Sequence, residues 1–380
     1  MKKIMMGASA LAILSTPALA GGLDRSGQSI GVLFEQGNYV ELSYGRIMPS
    51  VDGRDVAIFG GRPTGSVASD HSLPGFAYKR DIDEKLSFAV IYDHAYGADV
   101  TYDPALSVAL GGTNVKVKSQ GLTGLVRYKI DDAWSVHGGL RVSRSSADVT
   151  LKGRAYGGVS GYNASMDTNT SLGYILGVAW EKPEIAARVA LTYFSKTKHD
   201  FNTTETLNGV PMALVLASQG KSAKLGSTEV ETPQAVNLDF QTGVAADTLV
   251  FGSIRWADWS AFKVDPAGFK ALTGGGLVDL KDSWTYTLGV GRKFNENWSG
   301  SVFVSYEPKG DSKLVSPLAP TDGYKGIGVA AVYTQDNMKV TLGARYLNIG
   351  DADAETANAA RANMTKNDAV AVGLKVGWTF

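Results

Sequence analysis

The chain ends, from Val370 to Phe380, with the residues VAVGLKVGWTF. Every second position carries a large apolar side chain, and the residues between them are small or polar. Because successive side chains of a β-strand point to opposite sides, this segment predicts a strand with one apolar face and one small or polar face. A strand of a soluble sandwich could show the same alternation, so the fold depends on how the rest of the chain is arranged.

The same alternation recurs along the chain, with aromatic residues concentrated near the ends of the apolar faces, as expected for the aromatic belts of a membrane barrel. The sequence predicts fourteen strands, near residues 39–48, 72–79, 85–96, 117–130, 133–150, 167–181, 186–198, 235–245, 248–263, 283–294, 297–308, 324–334, 338–349 and 368–380.

The connections between these strands alternate between short turns and long loops. Tight turns such as Asp131-Asp132 and Asn295-Glu296-Asn297 join strands in pairs, and the other connections are long. In hydrocarbon every unpaired backbone amide is costly, so a sheet that crosses a membrane must have no edge. Together with the aromatic end at Phe380, this plan predicts an all-β fold, a closed transmembrane antiparallel β-barrel of about 14 strands over residues 39–380.

The N-terminus reads as a secretory signal peptide over residues 1–20. Lys2 and Lys3 precede an apolar run to Leu14, and the segment closes with Pro17-Ala18-Leu19-Ala20. Removing it leaves residues 21–38 as a short N-terminal plug segment ahead of the first predicted strand. We therefore expect an integral protein of the bacterial outer membrane with both termini in the periplasm.

Composition excludes several kinds of site. The chain has no cysteine, so disulfides, thiolate metal sites and cysteine nucleophiles are ruled out. Lys and Arg number 37, as do Asp and Glu, which argues against a nucleic-acid partner that is bound through bulk positive charge. The four histidines show no metal-ligand spacing. We expect no metal, no cofactor, no catalytic residue and no enzymatic activity.

Local motifs point to a family. The stretch from Thr232 to Val236, followed by Ile254 to Phe262, resembles the long-chain fatty-acid transporters of the outer membrane, the FadL/TodX-like family also called OMPP1. The motif residues of the second stretch are Trp256, Trp259, Ser260 and Phe262. Two later segments, Asp282 to Gly291 and Pro320 to Gly328, look like the next segments of that family in order and spacing.

The resemblance implies a monomeric barrel whose outer loops collect a hydrophobic ligand, pass it to a lumen site and release it sideways through a gap in the wall. In the family a kink in the third strand makes this gap, and Tyr96, Gly97 and Ala98 fall at the corresponding position as a lateral gate. An N-terminal plug normally closes the barrel. Here the segment is short and lacks the family's Asn-Pro-Ala motif.

The longest loop, about residues 199–231, contains an apolar run from Val210 to Ala217. An exposed apolar patch often marks a ligand site, whereas a short helix packed under its neighbours explains the same run without a ligand. Both interpretations stay open. A second small helix is expected over residues 265–272. The ligand-binding candidates in these loops are Met212, Leu214, Leu216 and Phe269.

Alternation also predicts which side chains face the lumen. The apolar set is Ile91, Leu125, Ile175, Phe194, Ile254, Phe303 and Leu347, of which Ile91, Phe194 and Phe303 are ligand candidates. The cationic set is Arg127, Arg141, Arg188, Arg345 and Lys375, of which Arg127 and Arg141 are candidates for a ligand carboxylate. The alternative for these cations is an interior ion-pair network with Asp93, Asp239 and Glu307.

These features predict passive outer-membrane transport of long-chain fatty acids or similar hydrophobic compounds. The alternatives are a general hydrophilic porin, which needs an open wet lumen, and a lipid hydrolase, which needs a Ser–His pair with a third polar group. The expected partners are hydrophobic small molecules, outer-membrane lipid and the barrel-assembly machinery, the last through the strand that ends in Phe380.

Overall fold

A computed structural model describes residues 23–380, which form one continuous β-sheet that closes on itself. The predicted signal peptide, residues 1–20, lies outside the described residues, as do the first two residues of the predicted N-terminal plug segment. Within the described part of the chain, no helix has the length and apolar character needed to cross a membrane.

The elements follow one another in a meander. The strands are β1 (Tyr39–Asp55), β2 (His71–Asp81), β3 (Leu86–Asp93), β4 (Gly97–Thr101), β5 (Asn114–Lys129), β6 (Trp134–Leu151), β7 (Tyr162–Lys182), β8 (Ala187–Phe194), β9 (Lys198–Leu207), β10 (Val210–Pro211), β11 (Ser227–Glu231), β12 (Ala235–Ala245), β13 (Thr248–Ala257), β14 (Ser283–Lys293), β15 (Trp298–Glu307), β16 (Leu314–Val315), β17 (Tyr324–Gln335), β18 (Met338–Ile349), β19 (Ala352–Thr356) and β20 (Ala359–Thr379). Two short helices, α1 (Met212–Ser218) and α2 (Ala267–Thr273), lie in the long loops.

The first and last strands close the sheet. β1 pairs antiparallel with β20, from Tyr39 opposite Thr379 to Asp55 opposite Ala362. β3 with β4, β8 with β9, and β11 with β12 each form one interrupted wall strand. The predicted fold is thereby confirmed as a closed antiparallel barrel of 14 strands.

Alternating burial identifies the two faces of the wall. On β5, Leu122, Val126 and Tyr128 are exposed on the outside, while Leu125 and Arg127 between them are buried inside. In water such an apolar exterior would be unfavourable, but against hydrocarbon it is the stable arrangement.

The strands extend further than the sequence predicts at the end of the barrel that carries the long loops. β1 continues to Asp55, β7 begins at Tyr162 and β20 begins at Ala359. Beyond the hydrocarbon the outer face needs no apolar residues, so the alternation that reveals a strand fades although backbone pairing continues. We call this end the long-loop end and the opposite end the short-turn end.

The long loops fold over the barrel and are held by buried polar groups. The Asp55 carboxylate accepts hydrogen bonds from the Ser107 hydroxyl at 2.7 Å and from the backbone of Val108 and Ala109 at 2.7 and 3.0 Å. The Tyr102 hydroxyl donates to the Pro317 carbonyl at 3.0 Å. Burial raises the pKa of Tyr102 well above its ordinary value, so the hydroxyl stays protonated as a donor.

Candidate functional site

The N-terminal segment runs inside the barrel and pairs with the interruption between β3 and β4. The Arg25 amide donates to the Ala95 carbonyl at 2.7 Å, and the Gly97 amide donates to the Leu23 carbonyl at 2.9 Å. Backbone groups that leave the wall ladder at residues 95–97 therefore find partners inside the lumen rather than staying unpaired.

A buried ion pair anchors the same segment to the opposite wall. Arg255 Nε lies 2.8 Å from Asp24 Oδ2, and both side chains are almost fully buried. Arg255 also donates to Asn237 at 2.7 Å and to Gln28 at 3.1 Å. Each of the three guanidinium nitrogens donates a hydrogen bond, so the segment is fixed by charge-assisted bonds in a low-dielectric interior.

The barrel wall has an opening where β2 and β3 part. Their pairing ends at Phe76 opposite Tyr92, and β4 does not pair with β2. Beyond the gap the chain before β2 reaches β4 instead, through an isolated bridge of Ala68 with Val100. The wall opening therefore lies between residues 71–75 on one side and 93–97 on the other. A cavity of about 130 Å³ occupies it, with a lining that includes interior Arg25 and Asp93 and lipid-facing Tyr44 and Leu374.

An apolar cavity of about 80 Å³ lies beside the wall opening, towards the long-loop end. Its lining is almost entirely aliphatic and aromatic and contains no lysine or arginine. The lining residues are Leu23, Tyr96, Ala98, Val115, Val117, Ser119, Ser145, Ser146, Ala147, Val149, Met166, His199, Phe201, Val230, Thr232, Pro233, Trp259, Phe262, Val264, Leu277, Val278, Leu318 and Ala319. The cavity can hold an apolar molecule, and it offers no cation to a charged one.

Tyr96 lines this cavity and lies two residues after His94, which lines the cavity in the wall opening. Its ring meets the Trp259 ring edge to face, with centroids 5.5 Å apart. Gly97 is the residue at the edge of the opening, where a side chain at that position would lie 2.6 Å from Arg25 Nε. In the predicted lateral gate, Tyr96, Gly97 and Ala98, two residues line the apolar cavity and Gly97 packs against Arg25 of the wall opening; the gating role stays a prediction.

A larger cavity of about 1450 Å³ opens at the short-turn end, with a lining that mixes charged, polar and apolar side chains. Phe34 is part of its lining. The guanidinium carbons of Arg127 and Arg188 lie 4.7 and 4.5 Å from the centre of the Phe34 ring. This double cation–π contact holds the end of the N-terminal segment across the lumen.

The predicted ligand residues of the loops lie in two environments. Met212, Leu216 and Phe269 are buried where α1 packs against α2, and Leu214 is exposed. The apolar run from Val210 to Ala217 contains the short helix of one interpretation, α1, and the second expected helix is present as α2. None of these four residues lines the apolar cavity, so their contact with ligand stays a prediction.

The lumen predictions from alternation are correct with one exception. Ile254 is wrong: Arg255 occupies the inward position beside its β12 partner Asn237, which turns Ile254 to the lipid side. Ile91 lines the wall opening. Phe303 packs in a separate cluster with Phe251 and Ala330. The others that face inward and are buried are Leu125, Ile175, Phe194 and Leu347.

The inward cations are buried and several have acidic partners. Arg141 forms an ion pair with Asp93 and donates to Thr123 at 2.9 Å. Arg127 pairs with Glu181 and donates to Ser135 at 3.0 Å. The geometry matches the interior network more closely than a carboxylate site at Arg127 or Arg141. Arg188, Arg345 and Lys375 are also buried inside.

The motif residues divide between the wall and the cavity. Trp259 and Phe262 line the apolar cavity, with their rings 5.6 Å apart. Trp256 packs beside Trp284, at a ring distance of 6.5 Å. Ser260 is exposed and donates to Asp258 at 3.2 Å. No group of three or more His, Asp or Glu side chains among residues 23–380 could hold a metal ion.

Sequence reasoning missed most of the cavity lining. Val115 and Met166 lie just outside the predicted strands, while Phe201 and Val230 lie in the longest predicted loop. One signal was available in the sequence. Val115 and Val117 keep the two-residue spacing of a strand ahead of residue 117, where the predicted strand begins.

Comparisons with known proteins agree with this architecture. A search of curated proteins gave no match. The crystal structure of a Pseudomonas aeruginosa FadL homologue is similar with a TM-score of 0.72 and 16% identity, over 97% of this chain and 98% of that one. The Pseudomonas putida toluene transporter TodX gives a TM-score of 0.64 at 12% identity, over 91% and 90% of the two chains.

A third solved structure, the CymD monoaromatic hydrocarbon channel, gives a TM-score of 0.57 at 12% identity, over 90% of this chain and 88% of that one. At sequence identities of 12% and 16%, the structural similarity to these three proteins establishes the fold alone. The sequence itself matches the family model described as outer membrane protein transport protein (OMPP1/FadL/TodX) over residues 9–380. On that match the chain belongs to the OMPP1/FadL/TodX family of outer-membrane transport proteins.

Proposed function

We propose that this protein carries long-chain fatty acids or similar hydrophobic compounds passively across the outer membrane. The family consists of transport channels for hydrophobic compounds. The observation that carries the proposal is the apolar cavity, whose lining includes Tyr96, close in the chain to a wall opening lined by both interior and lipid-facing residues. A ligand would enter from the long-loop end, occupy the cavity and leave sideways, with the short-turn end facing the periplasm.

Burial of apolar surface supplies the affinity. Each methylene that leaves water contributes about 0.8 kcal/mol, or roughly a fourfold gain in affinity. No energy source is required, because the ligand moves between water and membrane through a site that it enters and leaves freely. The structural neighbours named as a toluene transporter and a monoaromatic hydrocarbon channel support a hydrophobic substrate, whereas the FadL homologue supports the fatty-acid class.

The test is uptake of radiolabelled hexadecanoate and toluene by cells that lack or express the gene. Val117→Asp places a carboxylate in the cavity lining, and Gln120→Asp places one on the exposed face of the same strand. We expect expression to raise uptake of at least one compound. We expect Val117→Asp to remove that gain and Gln120→Asp to keep it. Equal uptake with and without the gene, at normal surface levels, would contradict the proposal.

A further inference from the structure

The outer face of β5 and β6 changes from apolar to polar towards the long-loop end. Leu122 on β5 and Val142 on β6 are the last large apolar side chains exposed on that face. The outward positions beyond them are Gln120, Lys118, Lys116 and Asn114 on β5, and Arg144, Ser146, Asp148 and Thr150 on β6. This part of the wall therefore lies at the level of lipid headgroups, above the acyl chains.

Lys118 and Arg144 are exposed cations that stand close together on this face. In the register of β5 with β6, Lys118 lies opposite Ser146. Arg144 lies two residues earlier on β6, opposite Gln120. The two cations are thus diagonal neighbours, about 7–8 Å apart at their backbones, and both side chains are long enough to reach one group between them. An anion bound there would relieve the repulsion between the two positive charges.

Neither cation has a carboxylate partner among residues 23–380. Other outward cations of this region are paired. Lys116 lies 3.6 Å from Asp99, and Lys198 lies 2.5 Å from Glu229. The charges of Lys118 and Arg144 are therefore available to an anion from outside the protein.

Two acidic side chains further from the apolar band are already engaged. Asp148 lies opposite Lys116 and accepts a hydrogen bond from the Ser165 hydroxyl at 2.7 Å. Asp99 faces both Lys116 and Arg25, so its charge is opposed twice. These carboxylates leave an excess of positive charge at the edge of the apolar band, where Lys118 and Arg144 lie.

Asp167 is the third acidic side chain of this region. It is exposed where the pairing of β7 with β6 shifts register, three residues before Thr170, the β7 partner of Arg144. It forms no ion pair within the part of the chain that the structure describes. Its negative charge opposes binding of an anion at Arg144, so its removal should strengthen such binding.

The apolar surface below the two cations defines the rest of the partner. Leu122, Val142 and Leu172 are exposed on the neighbouring strands β5, β6 and β7, with exposed fractions of 50%, 43% and 59%. A partner that satisfies the cations and also covers this surface needs an anionic headgroup joined to apolar chains. The glycolipids of the outer leaflet of this membrane carry phosphates on a saccharide with several acyl chains, which fits both requirements.

We propose that Lys118 and Arg144 together bind a phosphate of an outer-leaflet glycolipid, whose acyl chains lie on Leu122, Val142 and Leu172. The guanidinium can bind two phosphate oxygens, and the ammonium adds a point charge to the same group. This site goes beyond the proposed function. It rests on one part of that proposal, the placement of the long-loop end outside the cell.

The experiment measures binding of diphosphorylated lipid A, and of the same glycolipid without phosphates, to the purified protein in a non-ionic detergent by native mass spectrometry. The variants are Lys118→Gln, Arg144→Gln and their combination. Lys325→Gln is the matched control, because it removes one exposed cation above the exposed Ile327 on β17. Its cross-strand neighbours, Tyr306 and Asn348, are uncharged. Heat-modifiable migration on gels shows that each variant is folded.

We expect each single substitution to weaken binding of the phosphorylated glycolipid about fivefold, and the combination to weaken it at least about tenfold. Binding of the dephosphorylated glycolipid should stay unchanged in all variants. Lys325→Gln should change neither lipid, and Asp167→Asn should tighten binding of the phosphorylated lipid about twofold. Equal affinity of the wild-type protein for the two lipids, or a full preference for phosphate in the double variant, would overturn the site.

Two further measurements test which phosphate compound is bound. Inorganic phosphate at millimolar concentration should not displace the glycolipid, because it cannot cover the apolar surface; complete displacement would identify a site for free phosphate. Phosphatidylglycerol should bind more weakly than the glycolipid, and equally tight binding that depends on the same two cations would overturn the assignment to a glycolipid.

The lipid site and the transport function fail separately. The binding assay contains no transported compound, so a loss of the phosphate preference together with normal uptake leaves the transport proposal standing. Absence of uptake, with the phosphate preference and its dependence on Lys118 and Arg144 intact, would contradict the transport proposal alone.

Discussion

Leu214 and Leu216 lie on the same short helix in opposite environments. The Leu214 side chain is 63% exposed above the long-loop end, and Leu216 is 1% exposed beneath it. A substitution at Leu214 therefore tests the loop surface alone, whereas one at Leu216 would bury a polar group and disturb the packing of α1.

At the residue scale, Leu214→Asp is expected to weaken ligand capture by up to about tenfold, because one leucine contact with an apolar ligand is lost. The barrel should keep its stability, since the position is exposed. Uptake at low ligand concentration measures the effect. Ile82→Asp, at a 59% exposed position in a turn at the short-turn end, is the control. Equal uptake by both variants would contradict a role for the α1 surface.

Alternation alone is enough to predict that Arg127 and Arg141 face the lumen, because a strand has only two faces. It fails at Ile254 for a physical reason. The inward position on that part of β13 belongs to Arg255, whose burial depends on Asp24 from the far end of the chain. No local pattern contains that partner.

At the scale of elements, Glu205 on β9 fixes the helix pair over the long-loop end. Its carboxylate accepts from the Gly268 and Phe269 amides at 2.9 and 2.8 Å, at the start of α2. It also accepts from the Tyr162 hydroxyl at 2.9 Å. The Gly268 and Phe269 amides lie in the first turn of α2 and have no acceptor within the helix. A carboxylate is a favourable acceptor at this end of a helix. The sequence offers the first helix as one of two interpretations and predicts the second, but it contains no sign of this distant cap.

Glu205→Ala should leave those donors without an acceptor and lower the free energy of local opening of α2 by about 2 kcal/mol. Amide hydrogen exchange in residues 267–273 should become roughly 30-fold faster, which is the same energy expressed as a ratio. Glu229→Ala removes an exposed partner of Lys198 on the neighbouring strand and should have little effect. Unchanged exchange in Glu205→Ala would show that packing alone holds α2.

The N-terminal segment is the second element with a testable anchor. Asp24→Asn leaves Arg255 without its buried counter-charge, a change that costs about 3 kcal/mol or more. We expect the segment to loosen and the ion conductance in planar bilayers to rise above a low wild-type value. Asp70→Asn, which breaks an exposed pair with Arg46, should leave conductance low.

The same recordings address the hydrophilic-porin alternative. A large steady current through the wild-type protein would favour that class over a lumen crossed by the N-terminal segment. A low current in both wild type and Asp24→Asn would show that other groups close the lumen.

At the scale of the whole molecule, the C-terminal strand both completes the sheet and presents Phe380 at the barrel end. Phe380 is exposed, its amide donates to the Asn38 carbonyl at 3.0 Å, and its ring stacks near Tyr78 at 6.3 Å. These contacts contribute little stability, on the order of 1 kcal/mol. The prediction that the assembly machinery recognises Phe380 can therefore be tested separately from the stability of the barrel.

Deletion of Phe380 should reduce the amount of barrel in the outer membrane several-fold while the protein that does assemble keeps a nearly normal unfolding temperature. Heat-modifiable migration on gels measures both the folded amount and its stability. Phe294→Ser, at an exposed aromatic position in another turn at the same end, is the control. Normal amounts of the deletion variant would remove the argument for a terminal recognition signal.

The closing contact between β1 and β20 joins residues from the two ends of the chain, and the segment ahead of β1 lies within the ring that this contact completes. Because residues 23–38 run directly into β1, the strand that closes the wall also fixes where this segment enters the lumen, so a shift of the β1–β20 register would move the segment with it.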